Sequence, residues 1–291
     1  MDTNGSLPVV VGWDESHGSK AALTWAAVTA RQQGVPLQVV LNVDLQTRSG
    51  LPTADLGADE EVVANSLTKA RELAGRVAPE VPVSTDILTG HVVGNLIEAS
   101  RQAGMLVVGS RGHSRFVSAL IGSVSDAVAS HSHCPVVVVR GETDYPGDAP
   151  VVVGADGSQT SRAAVAFAAR YAAANGARLI AVNATAANQM VAPELIIDEA
   201  ATEAIREEAL RFMSESLAGV SADHPDLVIE EVVSDRPAGQ ALVDAAKVSG
   251  AQLLVVGSHG RGGFAGMLLG SVSRTVLHHA PGPVAVVRPS D

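Results

Sequence analysis

Met105-Leu106-Val107-Val108-Gly109-Ser110-Arg111-Gly112, followed after nine residues by Gly122-Ser123-Val124-Ser125, is one of two matching stretches in this chain. The other is Leu253-Leu254-Val255-Val256-Gly257-Ser258-His259-Gly260, followed after nine residues by Gly270-Ser271-Val272-Ser273. Each reads as an apolar strand, a glycine-rich turn and a helix start, with the spacing Gly-x2-Gly-x9-Gly-Ser. Glycine lets a backbone approach an anion closely. The Gly-Ser pair opens a helix whose free amides and dipole favour negative charge, and the serine hydroxyl adds a donor. Two copies with identical spacing point to a phosphate-binding turn in each half rather than to turn-forming glycine alone.

Working outward, Val9-Val10-Val11-Gly12-Trp13-Asp14-Glu15-Ser16 recurs as Val151-Val152-Val153-Gly154-Ala155-Asp156-Gly157-Ser158, 142 residues later, while the glycine motif recurs after 148. A unit of about 145 residues is too long for a solenoid repeat and fits two duplicated domains, expected at 1–141 and 150–291. The short polar segment 141–150, rich in Gly and Pro, is the expected joint. Within each half, Val/Ile/Leu runs alternate with Ala-rich helical patterns. Strands are expected near 8–12, 37–43, 83–88, 105–108 and 135–139, and near 150–154, 178–184, 227–233, 252–256 and 283–287. Helices are expected near 18–33, 59–77, 92–103 and 122–132, and near 159–175, 194–218, 238–249 and 270–280. Segments 45–58 and 185–193 lack a period and read as loops. Runs such as Val136-Val137-Val138-Val139 are apolar on both faces, as in a parallel sheet covered on both sides. The fold class is therefore α/β, two tandem doubly wound domains, each a five-stranded parallel sheet with helices on both faces. In such sheets ligands bind beyond the carboxyl ends of the strands where the winding reverses. Strands 1 and 4 of each half carry the two motifs, and an order 3-2-1-4-5 makes them neighbours at that point.

The totals set limits. At 291 residues each half is long enough to bury its own core. Aromatic residues are 3% of the chain, so the cores rest on Val, Leu, Ile and Ala. A net charge of −11 argues against nucleic acid or an anionic membrane as the main partner, while leaving room for a nucleotide held by local amides. The one cysteine, Cys134, allows no intrachain disulfide and fits a reducing compartment. No signal peptide is readable at 1–7 and no run of about 18 apolar residues occurs, so a cytoplasmic location without a membrane span is expected.

A Gly-x-Asp end to strand 1 combined with Gly-x2-Gly-x9-Gly-Ser after strand 4 resembles the ATP-binding universal stress proteins, and the whole chain resembles their tandem-domain, actinobacterial form. The resemblance implies an ATP-binding stress-response regulator with two adenine-nucleotide sites per chain, ATP and Mg2+ as its cofactors, and a homodimer or an intramolecular pseudo-dimer paired through strand 5 of each half. It implies that the strand 1 aspartate and nearby backbone hold adenosine, that a residue ending strand 2 lines the adenine pocket, and that the glycine loop and serine hold phosphate. Carried onto this chain, the first site is Gly12, Asp14, Val43, Gly109, Gly112, Gly122, Ser123 and Val124. The second is Gly154, Asp156, Ala184, Gly257, Gly260, Gly270, Ser271 and Val272. Trp13 and Ala155 sit beside the expected base, and Arg111 and His259 lie within the loops, so they join the candidates. Trp13 is expected to stack on the first-site base. Ala184 is smaller than the expected valine, and His113-Ser114-Arg115 faces Arg261-Gly262-Gly263, so the two sites differ.

Other readings are weaker. Asp14 and Asp156 also suit a turn or helix cap. His131-Ser132-His133-Cys134 has no second Cys-His group to close a tetrahedral metal site, and its histidines suit a helix end. No Gly-x-Ser-x-Gly elbow supports Ser110 and His113 as a hydrolase pair. The acidic runs 59–61 and 207–208 read as solvated helix faces. Neither Gly-x4-Gly-Lys-Ser/Thr nor Gly-x-Gly-x2-Gly after strand 1 is present, which argues against P-loop and NAD chemistry. A regulatory binder with little or slow hydrolysis is the leading reading, since no general base stands beside the γ-phosphate. The alternative is a slow ATPase or other adenine-nucleotide-dependent enzyme of the wider nucleotide-binding superfamily.

Overall fold

Hydrophobic strands with Ala-rich helices between them are laid down as a right-handed winding in each half. The fold comes from a computed structural model that describes residues 7–43, 56–112, 121–141, 148–185, 199–261 and 269–289. The chain divides into two compact units, Met1–Thr143 and Asp144–Asp291.

In the first unit the elements run β1 (Val9–Trp13), α1 (His17–Gln33), β2 (Leu37–Val43), α2 (Leu56–Val77), β3 (Val83–Thr89), α3 (Val92–Ala99), β4 (Met105–Gly109), α4 (Ser123–His131) and β5 (Val136–Val139). The strands lie in the order β3-β2-β1-β4-β5, every pair parallel. The second unit repeats this with β6 (Val151–Gly154), α5 (Gln159–Ala174), β7 (Leu179–Ala184), α6 (Glu199–Leu217), α7 (Val220–Asp223), β8 (Ile229–Ser234), α8 (Ala238–Ser249), β9 (Leu253–Gly257), α9 (Ser271–His279) and β10 (Val284–Val287). Its order is β8-β7-β6-β9-β10, again parallel. Both units are thus doubly wound with the order 3-2-1-4-5.

The core is aliphatic. Val9, Val10, Val11, Leu106, Val107 and Val137 are completely or almost completely buried, as are Val151, Val152, Leu253 and Val255. α1 packs on β1 and β4 through Ala22, Leu23, Ala26 and Ala30, whose small side chains let the helix lie close to the sheet. α1 and α2 cover one face, α3 and α4 the other. Caps place the helix starts: Ser16 Oγ accepts from Ser19 N, and Ser158 Oγ accepts from Ser161 N. Gly34 ends α1 in the left-handed conformation at φ 64°, which glycine adopts without a Cβ penalty.

Three features depart most from the sequence reading. The helix expected at 92–103 ends at Ala99 and tightens into a 3-10 turn over Ser100–Gln102, where Ser100 Oγ donates to Ile97 O. The helix expected at 59–77 begins at Leu56, so the end of the expected 45–58 loop is helical, and its 45–55 part lies outside the described residues. The short helix α7 had no periodicity to announce it. The readings of 186–193 as loop and 194–198 as helix also lie outside the described residues.

A candidate nucleotide site in each half

Each unit has a cavity beyond the carboxyl ends of its first and fourth strands. The first, of about 320 Å³, is lined at one end by Gly109, Arg111, Gly112, Gly122 and Ser123, and at the other by Val40, Asn42, Val92 and Leu96. The second, of about 440 Å³, has Gly257, His259, Gly260, Gly270 and Ser271 at one end and Val182, Ala184, Ala238 and Leu242 at the other. Winding reversal produces this arrangement. β1 lies between β2 and β4, so the connections leaving β1 and β4 cover opposite faces and leave a crevice between them.

The aspartates join the turn to the loop. Asp14 Oδ1 accepts from Ser16 N at 3.0 Å. Its Oδ2 lies 2.7 Å from where a Cβ on Gly112 would stand. Asp156 Oδ1 accepts from Ser158 N at 3.0 Å and from Ser158 Oγ at 2.6 Å, and its Oδ2 accepts from Arg261 N at 3.2 Å and lies 2.6 Å from a Cβ position on Gly260. Both are Asx turns whose second oxygen faces the glycine loop.

The first glycine of the motif answers to packing inside the protein. A Cβ on Gly109 would stand 2.5 Å from Gly18 C, and a Cβ on Gly18 would stand 2.2 Å from Arg111 O. In the second unit a Cβ on Gly257 would stand 3.0 Å from Thr160 C, and Thr160 Oγ1 donates to His259 O at 2.5 Å. The N-terminal turn of α1, or of α5, therefore presses directly on the loop. The glycine spacing, read from sequence as backbone approach to an anion, is set at this position by helix-to-loop contact.

The third motif glycine opens the helix that follows the loop. Gly122 N donates to Ser110 O at 2.8 Å, and Gly270 N donates to Ser258 O at 2.7 Å. Gly122 and Gly270 are the N-caps of α4 and α9, and neither helix start receives a side-chain cap. The first-turn amides are open at the cavity. Exposed Ser123 and Ser271 stand at this mouth, with Val124 and Val272 beside them. Two steps on, Ser125 Oγ donates to Gly109 O at 2.7 Å and Ser273 Oγ to Gly257 O at 2.6 Å, tying each helix to its strand end. These two serines recur in the repeated Gly-Ser-Val-Ser, a signal the sequence reading stopped one residue short of using.

The charge near each loop differs. Burial first, and then the Arg111 charge beside it, hold the Arg140 guanidinium below its ordinary pKa. Arg288 is lowered by burial alone, in a unit where His259 stands at the place of Arg111. Arg261 lies over the Phe212 ring, 3.5 Å from guanidinium carbon to centroid, a cation–π contact that holds the second loop against α6.

Most sequence candidates come together in the two cavities, and two do not behave as read. Val43 is not among the residues lining the first cavity. Register explains this: Gly12 pairs with Val40 and Gly154 with Val182, so Ala184 corresponds to Asn42, and Val43 falls one step beyond. A one-residue step turns a side chain to the other face. Trp13 borders the cavity, but its indole is 3% exposed and its Nε1 donates to Ser66 Oγ on α2 at 3.0 Å. Gly12 faces the opposite way, since a Cβ there would meet Val108 and Leu96. Strand alternation thus places the indole under α2, and at 3% exposure the residue offers no open ring face for the stacking expected of it. His113, Ser114, Arg115, Gly262 and Gly263 lie outside the described residues. Sequence reasoning missed Asn42, Val92 and Leu96 with their counterparts Ala238 and Leu242, because no motif marks the wall of an apolar pocket.

His131 Nδ1 lies 2.8 Å from Ala127 O and His279 Nδ1 2.9 Å from Thr275 O, so both close a helix end. Burial pushes the Cys134 thiol up to about 12. Among the described residues no group of three or more His, Cys, Asp or Glu could hold a metal ion. No helix among them is long and apolar enough to cross a membrane.

The universal stress protein family profile matches residues 7–140 and 149–288. The chain belongs to the universal stress protein family, in tandem-domain form. Universal stress protein Rv2005c of Mycobacterium tuberculosis is 39% identical over 97% of this chain and 97% of its own length. Universal stress protein Rv2623 of the same organism is 36% identical over 99% of this chain and 98% of its own. The crystal structure of a universal stress protein from Archaeoglobus fulgidus shares the fold, with TM-score 0.69, 24% identity, and coverage of 96% of this chain and 98% of that one.

Proposed function

We propose that the chain is a regulatory nucleotide-binding protein that holds one ATP in each half. The observation carrying this reading is the same in both units: an apolar-walled cavity ends on a helix start that has no side-chain cap, with an aspartate oxygen facing the adjoining loop. An uncapped helix N-terminus favours phosphate, a carboxylate accepts from ribose hydroxyls, and an apolar wall receives a base. The residues fit the nucleotide: Gly112, Ser123 and Val124 would meet phosphate in the first site and Gly260, Ser271 and Val272 in the second, with Arg111 or His259 beside them. Mg2+ belongs to this reading as a companion of the phosphate oxygens, with the Ser123 and Ser271 hydroxyls as the protein oxygens at hand. Asp14 and Asp156 are held in their turns, which favours retention of ATP with at most slow hydrolysis. A cytoplasmic location and a homodimer or pseudo-dimer form part of the same proposal, the latter open to test by the mass of the intact chain in solution.

Acid release followed by chromatography identifies the nucleotide carried by the purified protein. Calorimetry then gives two equivalents of ATP for the wild type and about one for Gly122→Glu or Gly270→Glu, since each places a carboxylate where phosphate would lie. A Cβ at either position stands 3.3 Å from its nearest neighbour, so the backbone accepts the change with a small shift. Unchanged stoichiometry in both variants with an intact circular dichroism spectrum removes the assignment. Steady turnover near about one per second would replace the binder with an enzyme.

A further inference from the structure

The two cavities are built alike at the phosphate end and differently at the opposite end. Leu96 and Leu242 are equivalent, since each meets the Cβ position of the first-strand glycine, Gly12 or Gly154. Counting back along α3 and α8 from these leucines pairs Asn95 with Ala241 and Val92 with Ala238. Strand register pairs Asn42 with Ala184. At two lining positions the first unit therefore carries Asn42 and Val92 and the second carries alanine, and behind them Asn95 stands where the second unit has Ala241. The first set is also braced. Asn42 Nδ2 donates to Gly90 O at 2.8 Å, and Asn95 Nδ2 donates to Asn42 Oδ1 at 2.6 Å and to Thr89 O at 3.0 Å. The second cavity is the larger, about 440 Å³ against about 320 Å³.

With phosphate at the helix start and ribose beside the aspartate, the purine edge remote from the glycosidic bond reaches this wall, and that edge bears the 6-amino group. We propose that Asn42 and Val92, with Asn42 braced by Asn95 from behind the wall, close the first cavity around an unmodified adenine ring. Ala184 and Ala238, which line the second cavity, leave room for an adenine nucleotide carrying an alkyl or acyl substituent on its 6-amino group. The inference rests on the nucleotide reading above and deepens it: the halves are receptors of different base specificity. A hydrogen-bonded amide pair cannot move aside without leaving a polar group unpaired, whereas removing side-chain volume leaves space an added apolar group can fill.

The probe is N6-benzyl-ATP, titrated by calorimetry against the full chain beside ATP itself. The expected result is two equivalents of ATP and one of the analogue. Gly270→Glu removes the analogue's equivalent, and the opened variant Asn42→Ala/Val92→Ala/Asn95→Ala gains a second one. Two equivalents or none in the wild type overturns the proposal, and so does an equivalent that survives Gly270→Glu. These outcomes leave two-site ATP binding standing, whereas failure of ATP itself to bind removes the nucleotide reading and this inference with it. The wild-type count and Gly270→Glu decide the matter even if the triple variant does not fold.

Discussion

Trp13 stands between Gly12 and Asp14 at the proposed nucleotide site, and its indole packs beneath α2. Its indole is held under α2 by a buried hydrogen bond to Ser66, an interaction of about 1 kcal/mol net, and the same serine bonds Glu15. In a Trp25→Phe background, Trp13 emission should be that of a buried indole and should stay unchanged when ATP fills the first site; quenching that tracks first-site occupancy would contradict the indole's direction. Glu15 is unusual in its own right, with φ 64° where the second unit has Gly157 at φ 81°. A non-glycine residue there is strained by about 1–2 kcal/mol. Its carboxylate bonds Lys69 Nζ at 2.8 Å, with 31% and 61% of the two side chains exposed, so the pair contributes at most about 0.5 kcal/mol after solvent screening. Hydrogen bonds from Lys69 and then Ser66 hold the Glu15 carboxyl below its ordinary 4.5. A depressed folded-state pKa gives stability that is present above 4.5 and fades as pH falls through the folded value. The cost of Lys69→Ala in urea melts should therefore be largest near neutral pH and shrink below 4.5; a cost that grows on acidification would reverse the sign argued here.

The element that shapes each site is the first helix, through its contact with the loop after the fourth strand. In the first unit two glycines, Gly18 and Gly109, meet where neither has room for a Cβ. In the second, Thr160 replaces Gly18 and the contact opens to 3.0 Å. Gly109→Ala should destabilise by about 1–3 kcal/mol, as overpacking does, and should weaken first-site nucleotide binding by displacing the loop. Gly257→Ala should cost less, because its Cβ has more room. Equal losses in denaturant melts would show that the helix contact is not what selects glycine. The long helices are pinned differently: Ser66 binds α2 to Trp13, while Ser216 accepts from Gly157 N at 3.0 Å and Phe212 receives Arg261 in the second unit.

For the whole molecule, the duplication yields a cavity in each half, and the described residues that line each one belong to a single unit. Changes in sites that share no partner residues add. Gly122→Glu should therefore leave ATP affinity at the second site within about twofold, and the Gly122→Glu/Gly270→Glu double variant should bind none. Loss of both equivalents from either single change would reveal coupling between the sites. The net charge of −11 gives no long-range attraction for a polyphosphate, so the affinity must come from local groups. The open amides of α4 and α9 and the cations Arg111 and Arg261 are such groups. Their contribution differs between halves because Arg111 in one unit is His259 in the other.

The sequence alone determined the duplication, the parallel five-stranded winding and the convergence of Asp14 and Asp156 on the glycine loops. Each follows from local signals: both-face apolar runs such as Val136–Val139, a Gly-x-Asp strand end that recurs 142 residues later, and a motif spacing repeated in both halves. Three things required the tertiary structure. Which way Trp13 points depends on strand alternation against a partner helix far along the chain. Whether Val43 or Asn42 meets the cavity depends on a register that one residue reverses. Why Gly109 is glycine depends on a contact with Gly18 across the crevice. In all three the deciding atoms belong to segments distant in sequence, and periodicity carries no information about distances between them.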